Sequence, residues 1–197
     1  MLKFIINKII EEIYTKNLKK NGLTPSGVFW NSEYNQIKRY EELLNFILND
    51  EEKKSIMDIG CGYGVFYKYL RDKGLDKFIS YCGVDINKFL LKECKKKYPN
   101  IMFYKKPKKD LLVDYLLLSG TYNLAITNNL TLWEKYVMND LHYYSKFCKK
   151  AIVMNLQFSH KTEIINNIYY TTEKRISELL HRRFKKYTIS RSKFFNH

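Results

Sequence analysis

Residues 56–64, Ile56-Met57-Asp58-Ile59-Gly60-Cys61-Gly62-Tyr63-Gly64, join an apolar run to a turn in which every second residue is glycine. The apolar run predicts a short buried strand. Alternating glycines allow a tight turn and let a ligand lie against bare backbone, because no Cβ intervenes. The helix predicted to follow would present free backbone N–H groups at its start. The stretch therefore predicts a nucleotide-type crevice at the carboxyl end of the first strand.

A second predicted strand ends in Gly83-Val84-Asp85, and Asp85 follows Gly64 by 21 residues. A carboxylate at this place can accept hydrogen bonds from two adjacent ribose hydroxyls. A dinucleotide site favours the spacing GxGxxG, whereas the spacing here is GxGxG. A nicotinamide site and a purely structural glycine turn are therefore the weaker alternatives.

Together, the glycine turn, Asp58 and Asp85 resemble motif I and the next strand of the class I S-adenosylmethionine-dependent methyltransferases. The resemblance extends over roughly residues 30–190. It implies methyl transfer as the activity and S-adenosylmethionine as the cofactor. It also implies an α/β fold: a doubly wound, mostly parallel sheet of seven strands or slightly fewer, with helices on both faces, a final antiparallel strand and additional N-terminal helices.

The resemblance also implies which residues contact the methyl donor. Asp85 takes the ribose, and Ile86 packs on the adenine. Many family members place an acid against the adenine amino group after the third strand, but Phe103-Tyr104-Lys105-Lys106 contains none. We expect Asp110 to substitute, with a solvated loop acid as the alternative. The methionine portion and the turn around it are assigned to Asp58, Gly60, Cys61, Gly62 and Gly64.

Upstream residues resemble the N-terminal segment that covers the donor in small members of the family. Gln36 and Arg39 are the expected contacts there, and Arg39 would bind the methionine carboxylate through two parallel hydrogen bonds. Trp30 or Tyr34 would help to exclude water. A solvated Arg39 and a Trp30 in the ordinary core are the alternatives. We therefore expect a helical lid over residues 1–50 and the donor-binding domain over residues 51–197.

The acceptor side is expected at the loop after the fourth strand, residues 118–123. Ser119 is assigned to the donor, and Tyr122 and Asn123 offer polar groups. Tyr122 and His160, which follows the fifth strand, are the candidate bases, and a surface loop histidine is the alternative for His160. Methyl transfer is an in-line displacement that relies on alignment, so a base is needed only where the acceptor's proton does not leave easily.

Alternation of strand and helix patterns along the chain supports this fold class. Residues 192–197 are scarcely enough for the usual seventh strand, so we expect either an abbreviated last strand pair or a shortened chain. The predicted helices cover residues 2–20, 33–48, 65–73, 88–97, 133–147 and 172–184. The predicted strands cover residues 55–59, 79–85, 101–104, 115–118, 151–156 and 187–191.

Charge is the most unusual feature of the composition, at +15 over 197 residues. Residues 95–109 hold seven lysines and no acid, and residues 174–197 hold eight Lys or Arg against Glu178 alone. Such concentrated charge can attract RNA or another polyanion. Compositional drift in a chain rich in Lys, Asn, Ile and Tyr is the alternative explanation.

No apolar run approaches the roughly 18 residues that a membrane span requires, and Lys8, Glu11 and Glu12 interrupt the N-terminal one. We expect no membrane partner. Four cysteines without a CxxC pair indicate neither a zinc site nor a disulfide framework, and we expect no metal. Reduced thiols favour a cytoplasmic protein.

The sequence thus predicts an S-adenosylmethionine-dependent methyltransferase acting on oxygen or nitrogen of a small molecule, anionic metabolites and sugar precursors included. An RNA methyltransferase that holds the phosphate backbone on its basic surface is the main alternative, and a non-catalytic donor-binding scaffold is another. Nothing in the sequence indicates the oligomeric state.

Overall fold

The main sheet has five parallel strands in the order β3-β2-β1-β4-β5. The computed structural model describes residues 2–48, 52–192 and 194. Strand β1 lies at the centre, and the direction of strand addition reverses between β3 and β4, which is the doubly wound order with its crevice at the reversal. The strands are β1 Lys54–Ile59, β2 Ile79–Val84, β3 Met102–Tyr104, β4 Val113–Leu118 and β5 Cys148–Met154.

The predicted α/β class is confirmed. Within the described residues the main sheet has five strands, fewer than seven as the expectation allowed, and all are parallel, so the expected final antiparallel strand is not among them. Residues 187–191, predicted as a last strand, form no regular element. The run Tyr187–Arg191 ends on Ser190 and Arg191 and is mostly exposed, so it has no apolar face to bury against a sheet.

In the described part of the chain, six α-helices begin within three residues of their predicted positions, and polar side chains cap four of them. Ser32, Asn87, Asn129 and Thr172 each accept a hydrogen bond from a backbone N–H in the first turn of the following helix. The helices are α1 Leu2–Asn21, α2 Glu33–Asn45, α3 Val65–Asp72, α4 Lys88–Lys97, α5 Leu130–Ser145 and α6 Glu173–His181.

A second, three-stranded sheet follows β5 and was not predicted. It contains β6 Gln157–Phe158, β7 Glu163–Ile165 and β8 Ile168–Thr171 in the order β6-β8-β7. Asn166 and Asn167, both at positive φ, form the tight turn that joins β7 to β8. These strands have two to four residues, too few for an alternating pattern to be recognised from sequence.

Backbone contacts divide the chain into two compact units. One comprises Met1–Ser119 and Phe147–Met154 and therefore holds the whole main sheet; the other comprises Gly120–Lys146 and Asn155–His197. The predicted boundary between residues 50 and 51 falls in residues 49–51, outside the described part of the chain. That division stays a prediction.

The core of the first unit lies between α2, α3, α4 and the sheet. Ile47 of the turn after α2, Ile56 of β1, Phe66 and Leu70 of α3, and Leu117 of β4 are all completely buried in it. Burial of this apolar surface anchors β1 and α3 on either side of the glycine turn, and so sets where the turn lies.

Candidate active site

The glycine turn between β1 and α3 has the geometry that the sequence predicts. Gly60, Gly62 and Gly64 have φ angles of 78°, 57° and 82°, the left-handed region that favours glycine. A Cβ added at Gly62 would meet nothing within 4 Å, whereas one at Gly64 would lie 3.0 Å from the Tyr98 ring. Gly64 therefore permits packing against Tyr98, and Gly62 borders open space in which a ligand can lie.

Backbone hydrogen bonds join the turn to the end of β2. The amides of Gly60 and Cys61 both donate to the carbonyl oxygen of Val84, at 2.7 and 3.1 Å. The side chain of Cys61 is buried. A Cβ added at Gly83 would lie only 2.8 Å from the Cys61 Sγ, so the thiol packs against the bare backbone of Gly83. Cys61, predicted as a donor contact, thus points its side chain into the core and serves the turn through its backbone.

Asp85 stands at the end of β2 and faces the turn. Its Oδ2 accepts a hydrogen bond from the Gly62 amide at 2.9 Å, and its Oδ1 accepts one from the Asn87 amide at 2.7 Å. Each carboxylate oxygen can accept a second hydrogen bond, which leaves two acceptor positions for a pair of ligand hydroxyls. Burial raises the pKa of Asp85 to about 6, although the two backbone hydrogen bonds oppose the rise.

A second buried carboxylate, Asp58, lies at the end of β1. Tyr81 donates a hydrogen bond to its Oδ2 at 3.0 Å. Burial raises the pKa of Asp58 to about 7, and the negative charge of Asp85 adds to the rise while the Tyr81 bond opposes it. A cationic ligand group would remove this penalty, because it would favour the ionised form.

Gln36 of α2 is also buried. It hydrogen-bonds to Tyr40, whose own pKa is raised first by burial and then by the charge of Asp58. The Gln36 Oε1 atom is buried and has no hydrogen-bond partner. An unpaired buried acceptor costs free energy, so this atom fits the N–H of a ligand ammonium group.

Two further predicted donor contacts lie in the same unit. The Arg39 guanidinium stacks over the Trp30 ring, 5.4 Å from its centroid, and burial lowers its pKa. Ser119 follows β4, and its Oγ is buried without a hydrogen-bond partner. In the parallel pair of β1 and β4, Asp58 lies opposite Leu117. Ser119, two residues after Leu117, therefore lies at the same edge of the sheet as Gly60, two residues after Asp58.

The N-terminal segment packs on the glycine turn, and the expected lid over residues 1–50 stays a prediction. Leu18 of α1, Val28 and Leu90 of α4 form one buried cluster, and Tyr14, Trp30 and Tyr63 pack against it. Tyr63 belongs to the glycine turn. This cluster therefore packs α1 and the single helical turn at residues 26–28 against the glycine turn.

Hydrogen bonds also join α1 to the loop after β2. Asn87 Nδ2 donates to Thr15 Oγ1 at 2.9 Å and to the Glu11 carbonyl at 3.3 Å. Burial, followed by the charge of Asp85, raises the pKa of Tyr14, which places that phenol in the field of the Asp85 carboxylate. These residues were missed because the contacts that bring α1 to the turn join residues far apart in the chain, 72 positions in the case of Thr15 and Asn87.

A family model described as a methyltransferase domain matches residues 32–136, which is more than half of the chain. The chain belongs to the methyltransferase domain family. The predicted enzyme class, its Rossmann-like class I fold and its S-adenosylmethionine cofactor are thereby confirmed.

Relatives agree with this assignment. Rv1506c of Mycobacterium tuberculosis, named as a methyltransferase, is 24% identical over 145 residues, which is 71% of this chain and 86% of the relative. The magnesium protoporphyrin IX methyltransferase of Synechocystis PCC 6803, with bound S-adenosylhomocysteine, has a TM-score of 0.60 at 10% identity over 93% of this chain and 89% of its own. Phosphoethanolamine N-methyltransferase 1 of Haemonchus contortus has a TM-score of 0.61 at 13% identity over 92% and 41%.

The remaining predicted donor residues of this methyltransferase occupy less distinctive places. Ile86 is half-buried directly after Asp85. Asp110 is exposed in a turn between β3 and β4. The assignments of Ile86 to the adenine and of Asp110 to its amino group stay predictions.

The loop after β4 opens the second unit of the methyltransferase. The Gly120 amide donates to Asn155 Oδ1 at 2.7 Å, which pins this loop to the one after β5. Asn123 is half-buried there, and its Oδ1 is buried without a hydrogen-bond partner. This amide oxygen is a candidate contact for an acceptor.

The two candidate bases differ sharply in surroundings. Tyr122 is buried and donates a hydrogen bond to Asp140 Oδ2 at 3.0 Å, and burial raises its pKa well above the usual range, followed by the charge of Asp140. A phenol held neutral in a buried pair favours a structural role over the predicted catalytic one. His160 is exposed after β6 and remains a candidate.

Among the described residues, no group of His, Cys, Asp and Glu side chains could hold a metal ion. Within the same part of the chain, no helix is both long and apolar enough to cross a membrane. All four cysteines are free, and Cys94 donates its S–H to the Gly62 carbonyl at 3.2 Å, so its thiol supports the glycine turn.

Proposed function

We propose that this methyltransferase transfers the methyl group of S-adenosylmethionine to oxygen or nitrogen of a small molecule, anionic metabolites and sugar precursors included. The observation that carries the proposal is the covered glycine turn. The lid formed by α1 and residues 26–30 packs on Tyr63 of the turn itself, which favours an acceptor that enters a confined site. A bulky macromolecular acceptor would need this region open.

The residues present fit the donor. Asp85 offers two free acceptor positions for the ribose hydroxyls, and the open space at Gly62 allows close approach to the backbone. Asp58 and the unpaired Gln36 Oε1 suit the methionine ammonium, and Arg39 suits its carboxylate. Ser119 Oγ offers one more buried polar group at the same edge.

When bound, the cofactor supplies an electrophilic methyl group on a sulfonium. The chain's own task is then to align the acceptor and to exclude water. Tyr14, Trp30 and Tyr63 supply the apolar cover, and the Asp58 carboxylate balances positive charge near the sheet edge. His160 would take a proton only from an acceptor whose proton does not leave easily.

The relatives support a small acceptor. The Haemonchus contortus enzyme was crystallised with phosphoethanolamine, an anionic small molecule, and the Synechocystis enzyme is named for a porphyrin. Excess positive charge on this chain would attract acceptors of the first kind.

An acceptor screen with radiolabelled S-adenosylmethionine tests the proposal. Extract fractions of small metabolites, total RNA and protein are incubated separately with the wild type and with Asn123→Ala. We expect label in the metabolite fraction, and a lower kcat/KM for Asn123→Ala at unchanged donor affinity. Label that enters only RNA or protein would refute a small acceptor.

RNA methylation is the second candidate, since Lys105, Lys106, Lys108 and Lys109 are all exposed in one loop. If RNA is the acceptor, replacing these four lysines by Gln should flatten the salt dependence of RNA binding. We expect weak RNA binding whose loss leaves turnover of the true acceptor intact. One discrete RNA species labelled by the wild type, and not by the variant, would establish this candidate instead.

A further inference from the structure

The first half of α1 carries apolar side chains that the protein leaves exposed. Leu2, Ile5 and Ile9 follow each other at helical spacing and are 41%, 47% and 38% exposed. Phe4 is 74% exposed, the highest value among the exposed large apolar side chains that the structure describes. Four such side chains within about two turns form an apolar patch, which marks an interaction surface.

Phe4 of this patch lies on the same side of α1 as Glu11, about two turns before it, and Glu11 contacts the loop that carries the lysine run. The Glu11 carboxylate accepts hydrogen bonds from Lys105 Nζ at 3.1 Å and from the Lys88 amide at 3.3 Å. These bonds hold the loop at residues 105–109 and the start of α4 against α1. Lys106, Lys108 and Lys109 are exposed on that loop.

We propose that these two parts, the apolar patch of α1 and the lysines of residues 106–109, form one docking surface for an anionic lipid bilayer. Lysines are attracted by the negative surface potential of anionic headgroups, and apolar side chains gain free energy by insertion at the headgroup level. The expectation of no membrane partner rests on the absence of a spanning run, and a surface-bound helix needs none.

Charge and chemistry favour this occupant over two others. A polyanion such as RNA engages the lysines but gains little from exposed Leu and Ile side chains. A second copy of the chain would bring a like-charged surface against this one, in a protein whose net charge is already +15. The docking surface goes beyond the proposed function and does not depend on which acceptor is methylated.

Vesicle flotation tests this surface. The full chain is mixed with vesicles of phosphatidylcholine alone, or of phosphatidylcholine with phosphatidylglycerol. The variants are Phe4→Ser with Ile5→Ser, and Lys106→Gln with Lys108→Gln and Lys109→Gln. Phe78→Ser is the matched control, because Phe78 is 53% exposed but precedes β2 at the opposite edge of the sheet.

We expect the wild type and Phe78→Ser to bind the anionic vesicles at least tenfold more tightly than neutral ones. Each of the other two variants should lose at least tenfold of that binding while keeping donor affinity, measured by calorimetry as the check on folding. Absence of wild-type binding to anionic vesicles, or full binding by Phe4→Ser with Ile5→Ser, would overturn the proposal. So would vesicle-free dimerisation, measured by light scattering, that the same variant abolishes.

Discussion

At the scale of single residues, two buried carboxylates at the ends of neighbouring strands are the proposed donor contacts. Asp58 and Asp85 are both buried, and burial raises both pKa values, to about 7 and about 6. Burying a charged carboxylate costs free energy, and the hydrogen bonds to these two groups offset only part of that cost, since both pKa values remain raised. A bound ligand that adds hydrogen bonds or positive charge would offset more of it. Their different partners predict different roles: Asp85 holds neutral hydroxyls, and Asp58 balances positive charge.

Asp85→Ala should weaken binding of both S-adenosylmethionine and S-adenosylhomocysteine, because both contain the same ribose. Loss of charge-assisted hydrogen bonds should cost about 1.5–3 kcal/mol, which is roughly ten- to a hundredfold in affinity by calorimetry. Asp114→Ala is the control, because this carboxylate is also bonded to backbone and side chain, at Ser55, but lies at the start of β4. Equal losses for the two variants would contradict the ribose assignment.

Asp58→Asn should stabilise the ligand-free protein and weaken binding of the cationic donor. The pKa of Asp58 is about 7 in the folded state against 3.8 for an ordinary Asp, so the folded state binds the proton more tightly. The wild-type free energy of unfolding therefore falls as pH rises from about 4 to about 7, and the Asn variant should lack this component.

Urea titrations of the wild type and Asp58→Asn between pH 5 and pH 8 measure the difference. We expect the variant to gain relative stability toward pH 8, since Asn can still accept the Tyr81 hydrogen bond without a charge. Its affinity should fall for both S-adenosylmethionine and S-adenosylhomocysteine, because both carry the ammonium group assigned to Asp58. A pH-independent stability difference would show that Asp58 stays ionised throughout.

At the scale of elements, the strand–turn–helix unit depends on backbone shape. Gly62 and Gly74 form a natural pair for comparison: both have positive φ, 57° and 67°, and an added Cβ at either would meet nothing within 4 Å. Only Gly62 borders the proposed donor space, whereas Gly74 precedes the single turn between α3 and β2. The two positions therefore separate backbone strain from ligand obstruction.

Gly62→Ala and Gly74→Ala should each lower the free energy of unfolding by about 1–2 kcal/mol, the cost of a left-handed residue with a Cβ. Gly62→Ala alone should weaken donor binding, by more than tenfold, because its methyl group projects into the ligand's space. Chemical denaturation and calorimetry on both variants measure the two effects. Unaltered donor binding by Gly62→Ala would mean that the glycine serves the turn alone.

At the scale of the whole molecule, the second unit is stabilised by a buried ion pair. Glu134 of α5 is buried and receives two hydrogen bonds from Arg175 of α6, at 3.0 and 2.6 Å, and one from Tyr169 of β8 at 3.2 Å. Three elements thus meet at one carboxylate. The pKa of Arg175 is raised, chiefly by its hydrogen bonds to Glu134.

Arg175→Met should lower the free energy of unfolding by roughly 2–4 kcal/mol, because it leaves the buried Glu134 charge without its cation; the partial exposure of Arg175 keeps the cost below that of a fully buried pair. Lys68→Met is the control, since its bond to Asp72 lies at the surface, and a change within about 0.5 kcal/mol is expected. Equal urea midpoints for the two variants would contradict this role of Glu134.

Much of the donor half could be predicted from sequence. The prediction rested on two local signals, the glycine spacing and the acid at the end of each of two strands. The small sheet β6-β8-β7 and the loss of a strand at residues 187–191 could not be predicted. Very short strands form only where tertiary contacts favour them, and an apolar-poor run carries no signal of its own.

The sequence by itself determined the fold class, the place of the glycine turn and the two carboxylates beside it, because these depend on residues close together in the chain. Only the tertiary structure decided which side chains complete the site. In the folded protein Thr15 of α1 accepts a hydrogen bond from Asn87, and the Gln36 Oε1 atom is buried without a hydrogen-bond partner. Tyr122 is buried and donates a hydrogen bond to Asp140. Contacts between distant segments depend on how whole elements pack, and the pattern of one segment does not record that packing.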